Sequence, residues 1–375
     1  MPSPRNPFTP AFGTVPPVMA GRESILTTMG DAFETGPGDP NLSTILIGAR
    51  GTGKTVCMTC IADEAAAHGW VTANTMAIPG MLDDIYESTL RSCKTLLDKQ
   101  SRSHLPSVTI GPISAGWDTD KQQLGNWRSR MTDLLDELDK LGTGLLISVD
   151  EVHANLPEMI MLAAVYQLFV REGRHVALLM AGLPYHVDRL LTNESVSFLR
   201  RSQQHRLGRI IDADVRAAFR RTIEEAGKEV APDALEACVQ AIGGFAYMLQ
   251  LVGYRTWIES DARPVISLDD AQRGIAAAQR EIGSHILATT YRDLSDGDLR
   301  FLNAMLLDKS ESTLANISRR MGVASNYASK YKSRLLSQGI IGERGRNVLG
   351  FDIPGFRGYL TRMADEQEFA NGRDA

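Results

Sequence analysis

Ser43-Thr44-Ile45-Leu46-Ile47 runs into Gly48-Ala49-Arg50-Gly51-Thr52-Gly53-Lys54-Thr55, which in turn runs into a helical pattern from Val56 to Gly69. No other stretch of the chain restricts its fold as tightly. The first piece, short, apolar and β-branched, predicts a buried strand. In the loop the glycines permit a tight turn whose backbone N–H groups converge on one point, and the following helix aims the positive end of its dipole there. A strand, a loop of this composition and a helix in register make a phosphate-binding loop. Gly48 to Val56 would cradle the phosphates of ATP or ADP. Lys54 would reach the β- and γ-phosphates, and the Thr55 hydroxyl would ligate Mg²⁺.

About 95 residues after Lys54, the near-continuous apolar run from Gly144 to Val149 ends in two carboxylates, Asp150 and Glu151. At a strand end opposite a phosphate loop, the first is placed to hold Mg²⁺ and the second to orient and polarise an attacking water. Further strands are expected at Trp70–Ala77 and His175–Gly182, with helices at Ser24–Phe33, from Pro79 to about Lys99, at Trp127–Lys140 and at Pro157–Glu172. Leu105 to Trp117 suggests a hairpin insertion. Apolar strands alternating with helices imply an α/β fold with a parallel sheet covered on both faces, its nucleotide at the carboxyl ends of the strands. Phosphoryl transfer also needs positive charge at the γ-phosphate. Arg201, in Phe198-Leu199-Arg200-Arg201 just past the last expected strand, is the candidate finger, with Arg206 and Arg209 as alternatives.

From about Ile211 the pattern turns all-helical, with helices at Asp214–Ala226, Asp233–Ala241, Ala246–Ser260 and Leu268–Ala288. The division expected is a nucleotide-binding core at 1–210, a helical lid at 211–290 and a terminal domain at 291–375. In that last part Ser295 and Asp298 form a capping box for a helix to about Leu307. Thr313–Met321 is a second helix, and a third, capped by Ser325, reaches Gln338. Ile340-Ile341 and Val348–Phe351 then flank a hairpin tip, Glu343-Arg344-Gly345-Arg346-Asn347. Three helices and a hairpin describe a winged helix-turn-helix. On its third helix Ala328, Tyr331 and Leu335 share the stripe expected to face the core. Asn326, Lys330 and Arg334 share the other, with Tyr327 and Ser333 nearby, and Asn and Arg are side chains that pair with base edges. Arg344 and Arg346 would reach an adjacent groove or the backbone.

Charge supports that reading. The 375 residues carry a net −5, yet Ile317 to Arg346 holds seven Lys or Arg against one acid, a local +6 on a remainder of −11. Double-stranded DNA is the expected partner, with a homo-oligomer or a protein partner as further expectations. No apolar run approaches the ~18 residues of a membrane span. Met1-Pro2-Ser3-Pro4-Arg5 lacks the apolar core of a secretory signal. With four cysteines and no export signal, a cytoplasmic location is expected. Cys57 and Cys60 form a Cys-x-x-Cys, but on the helix after the loop and without a matching second pair they are expected to be core residues. The last ten residues are expected to fray.

Gly21-Arg22-Glu23, the phosphate loop, the Asp150-Glu151 strand, the helical lid and the terminal winged helix together resemble an AAA+ ATPase. The order resembles the origin-recognition and replication-licensing branch and the related archaeal ATPases; the signalling ATPases called STAND proteins share much of the core. The resemblance spans roughly Pro16 to Tyr359. It implies that Gly21 and Arg22 lie beside the adenine. Two departures stand out. Met180-Ala181-Gly182-Leu183-Pro184 holds no polar sensor at the end of the expected fourth strand. The lid has Gly243-Gly244-Phe245-Ala246-Tyr247 where an arginine is common. A slow ATPase acting as a nucleotide switch for DNA engagement follows; the alternative is a STAND-like switch whose winged helix binds protein.

Overall fold

The computed structural model describes residues 5–11, 13–101 and 120–371. They form two compact units. One comprises Arg22–Ile47 and Lys54–Arg206; the other comprises Met1–Gly21, Gly48–Gly53 and Leu207–Ala375.

In the first unit the order is α1 (Glu23–Thr35), β1 (Ser43–Ile47), α2 (Lys54–Ala67), β2 (Val71–Met76), α3 (Met81–Ser101), α4 (Asp120–Lys140), β3 (Leu145–Asp150), α5 (Pro157–Arg171), β4 (Val176–Gly182), α6 (Pro184–Thr192) and β5 (Gln203–Arg206). The five strands form one parallel sheet in the order β2-β3-β4-β1-β5. β4 lies between β1 and β3, so every one of its residues is buried, which explains its unbroken apolar run. β5 has no counterpart among the expected strands. Its Gln203-Gln204-His205-Arg206 is polar, because as an edge strand it pairs only with β1 and alternates half-buried with exposed positions. Arg200 and Arg201 therefore precede the last strand instead of following it. The expected hairpin at Leu105–Trp117 lies outside the described residues.

Two devices fix this unit's helices. The Glu158 carboxylate, on α5, accepts hydrogen bonds from Gly80 N–H (2.8 Å) and Leu82 N–H (3.1 Å), satisfying donors that α3 leaves open at its start. Trp70 donates its indole N–H to Phe33 O at 3.0 Å. Its ring sits so close to Gly144 that a Cβ there would lie 2.6 Å away.

The second unit continues with α7 (Asp212–Glu225), β6 (Glu229–Val230), α8 (Pro232–Ile242), α9 (Ala246–Ser260), β7 (Val265–Ile266), α10 (Leu268–Ile282), a π-helical turn at Gly283–Leu287 and α11 (Ala288–Arg292). The lid is thus not all-helical, since β6 and β7 pair in parallel. Its first helix starts earlier than expected and its last is interrupted by the π turn. Phe8 from the N-terminal segment joins this unit's core, a role the sequence does not announce.

The winged helix comprises α12 (Asp296–Leu306), β8 (Ser312–Thr313), α13 (Leu314–Met321), α14 (Ser325–Ser337), β9 (Ile341–Gly345) and β10 (Val348–Phe351), with the sheet ordered β8-β10-β9. The Ser295–Asp298 capping box is present. Ser325, however, is the first residue of α14 and caps nothing; Ala324 occupies the cap position with no side-chain bond. Tyr331 is only half-buried, its hydroxyl 3.0 Å from that of Tyr327. α15 (Phe356–Asn371) carries helix well into the stretch expected to fray.

Asp308, just past α12, locks this domain. Its carboxylate accepts two parallel hydrogen bonds from Arg320, both 2.7 Å. The Arg320 guanidinium, then the Ser312 hydroxyl, pull the carboxyl from its ordinary 3.8 down to about 2. A folded-state pKa below the unfolded one adds stability that is present above about pH 4 and lost as pH falls toward 2. Asp308→Asn should therefore lower the melting temperature at pH 7, with the gap to wild type closing between pH 4 and 2. A gap independent of pH would assign the loss to packing instead.

Candidate functional site

The phosphate loop connects β1 to α2. Gly51 and Gly53 take φ of +76° and +87°, values that disfavour any residue with a Cβ. Gly48 is needed for space: a Cβ there would meet the Thr52 hydroxyl at 2.5 Å and Leu207 O at 2.8 Å. Thr52 donates its hydroxyl to Ala49 O (2.9 Å), closing the loop on itself. Arg50 is exposed, Thr52 and Lys54 are buried, and Val56 is half-buried on the first turn of α2.

Thr55 and Asp150 meet as the motif spacing predicts. The Thr55 hydroxyl donates to Asp150 Oδ2 at 2.6 Å. Asp150 Oδ1 accepts the Glu151 N–H at 2.8 Å. A hydroxyl oxygen and a carboxylate converging at this distance beside a phosphate loop suit a hard, oxygen-seeking cation such as Mg²⁺. Thr55 and Asp150 would hold it, and when bound it would neutralise charge on the nucleotide phosphates. Glu151 is exposed and has φ +55°, one of three described non-glycine residues on the left-handed side. Such strain is retained where the surrounding structure demands a particular side-chain direction.

At the end of β4 the residues Met180, Ala181, Gly182 and Leu183 offer no polar side chain, in agreement with the sequence. The rings of His186, on α6, and His153, just past β3, lie 6.2 Å apart. His153 Nε2 lies 3.1 Å from Ala77 O. Of the four arginines considered, Arg200 donates to Leu191 O at 2.7 Å and Arg209 lies over the Phe245 ring at 4.7 Å. Arg201 and Arg206 are exposed. Gly21 has φ +64° and packs on Ile210 and Asp214; Arg22 immediately precedes α1. Burial pushes the Cys57 thiol up to about 12 and raises Cys60 as well, and all four cysteines are free. No group of three metal-ligating side chains occurs among the described residues. No described helix is long and apolar enough to cross a membrane.

The basic face of the winged helix is smaller than its sequence count. Arg320 pairs with Asp308 and Lys332 with Glu343, both within 2.7 Å. Arg334 pairs with Asp298, and Arg344 with Asp352. Arg334, expected to read bases, is held by a fully buried carboxylate that also caps α12. Arg344, expected at the wing tip, folds back along the hairpin to Asp352 and Phe351 O. Three of these carboxylates lie outside the Ile317–Arg346 window, which is why a window count misses them. Arg319, Lys330 and Arg346 are exposed and have no carboxylate partner among the described residues. Asn326, Tyr327 and Ser333 are exposed as expected, Tyr327 by 50%.

Residues 284–360 match the model of a family described as a domain of unknown function, DUF8462. A search of curated proteins gives no match. Among solved structures, the ORC2 protein of Aeropyrum pernix in its ADP form superposes with a TM-score of 0.55 at 14% identity, covering 96% of this chain and 97% of that one. Cdc6p of Pyrobaculum aerophilum gives 0.45 at 14% identity, over 96% and 97%. The RuvB Holliday junction branch migration motor of Thermotoga maritima gives 0.44 at 14% identity, over 91% and 95%. With its β2-β3-β4-β1-β5 sheet, lid and small terminal antiparallel sheet, the chain has the AAA+ ATPase fold with a C-terminal winged helix.

Proposed function

We propose that this protein is an ATP-dependent switch: a slow ATPase in which Gly48–Thr55, Asp150 and Glu151 bind and hydrolyse Mg²⁺-ATP, and whose winged helix engages double-stranded DNA. The observation that carries the nucleotide part is the Thr55–Asp150 pair at 2.6 Å, because it brings both Mg²⁺-binding groups together at the start of α2. The ADP form of the similarly folded ORC2 supports the same reading. Slow turnover follows from a β4 end with no polar sensor and a lid turn with no arginine. Arg201 would supply charge to a neighbouring copy, and Gly21 and Arg22 would flank the base.

DNA contact would fall to Asn326, Tyr327, Lys330 and Ser333 on α14, Arg346 on the wing and Arg319 on α13. With three cations available, the slope of log affinity against log salt should be about −3, not the roughly −6 that seven would give. The neutralisation of four cations by internal carboxylates favours a second reading, in which the same face docks a protein. Lys330→Glu with Arg346→Glu separates the two: the double variant should bind duplex DNA at least tenfold more weakly. Wild type should bind DNA more tightly with ATP than with ADP, and Lys54→Ala should erase that difference. Equal DNA affinity in all four combinations would sink the switch. No duplex binding by wild type at low salt would leave the protein-docking reading.

A further inference from the structure

Main-chain contacts grip the phosphate loop at both ends. Gly48 lies against Leu207. Further along, the Gly51 carbonyl accepts a hydrogen bond from Tyr247 N–H at 3.3 Å, at the start of α9. The neighbouring Ala246 Cβ lies 3.4 Å from where a Cβ on Gly53 would stand. The turn that presents α9 is itself fixed. Gly244 O accepts the Ile210 N–H at 2.8 Å, and Gly244, at φ +76°, has no room for a side chain, since a Cβ would lie 2.5 Å from Ile210 O.

A trans peptide directs its C=O and N–H to opposite sides, and no cis bond occurs among the described residues. Anchoring the Gly51 carbonyl on Tyr247 therefore turns the Thr52 N–H the other way, and loops of this kind bind phosphate oxygens with inward-turned N–H groups. We propose that Tyr247 is a positioning residue for the phosphate loop, and that it acts through its backbone N–H by setting the Gly51–Thr52 peptide in its anion-binding orientation before nucleotide arrives. The inference rests on the nucleotide reading above. It gives the lid a way to act on the loop without an arginine.

The test separates the N–H from the ring. Tyr247 is the second residue of α9, where a backbone N–H has no partner within the helix, so proline there costs no intrahelical hydrogen bond. It does press on Ala246, the helical residue before it, so Tyr247→Pro must also melt like wild type without nucleotide. Tyr247→Pro removes the donor and Tyr247→Ala keeps it. Ala246→Pro is a control that introduces proline one residue earlier, after Phe245, whose extended backbone (φ −92°, ψ 124°) suits a following proline. Calorimetry on the full chain should show Tyr247→Pro binding ATP and ADP roughly threefold to tenfold more weakly, the effect of one lost hydrogen bond. Ala246→Pro and Tyr247→Ala should stay within about twofold of wild type, with melting temperatures alike without nucleotide. Wild-type affinity in Tyr247→Pro, or an equal loss in Tyr247→Ala, would overturn the proposal. Hydrogen exchange tests the same bond without any variant. The Tyr247 amide of the nucleotide-free protein should be protected, and exchange at the free rate would overturn the assignment. If wild type binds no nucleotide, the underlying reading fails, and that outcome differs from all of these.

Discussion

Glu151→Gln is expected to lower ATP turnover by about 10²–10³-fold while leaving ATP affinity within roughly twofold, because a group that orients and polarises water acts on the chemical step. Asp150 is engaged on both oxygens, by the Thr55 hydroxyl and the Glu151 N–H, so its carboxylate is held in place. Glu151 instead projects from a backbone with φ +55°. That conformation costs a residue with a Cβ about 1–2 kcal/mol. Glu151→Gly should relieve it, keeping the melting temperature level or raising it while abolishing turnover. Loss of stability in Glu151→Gly would mean that the glutamate holds the fold together. Single-turnover measurements with both variants check the kinetic half, and thermal melting checks the other.

The legible parts of this chain are those whose chemistry is local. The phosphate loop, the apolar β3 that delivers Asp150 and the Ser295–Asp298 box each announce themselves within a few residues, and the structure places them accordingly. β5 is illegible because an edge strand needs no apolar run; Gln203 to Arg206 is a strand only because β1 is beside it. The charge of the winged helix misleads for a related reason. Arg334 and Arg344 look available along the chain, yet Asp298 and Asp352, at 36 and 8 residues' distance, neutralise them in space. Whether a cation is free depends on tertiary partners that a window does not contain. The Tyr247–Gly51 bond, joining residues almost two hundred apart through main-chain atoms alone, leaves no trace in side-chain identity.

Phe8→Ala should destabilise the unit it anchors by about 3–5 kcal/mol, the cost of emptying a buried aromatic site, and lower its melting temperature by roughly 6–20 °C. Phe8 is 1% exposed, with its ring centroid 5.2 Å from that of Phe219 on α7. The segment around it is pinned to α9: Asn6 donates its amide to Tyr254 O at 3.1 Å, and Thr9 N–H donates to Gln250 Oε1 at 3.0 Å. The site also explains Gly253, a poor residue for the middle of a helix. A Cβ there would lie 2.3 Å from the Phe8 ring, so the helix gives up propensity to admit the aromatic. The two positions must then be coupled. In wild type Gly253→Ala should destabilise by forcing Phe8 out, whereas in Phe8→Ala the same change no longer meets the ring and should stabilise by up to about 1 kcal/mol, the helix preference of alanine over glycine. A double-mutant cycle read by chemical denaturation measures this directly. If Gly253→Ala has the same sign in both backgrounds, Phe8 does not occupy the α7–α9 core as described.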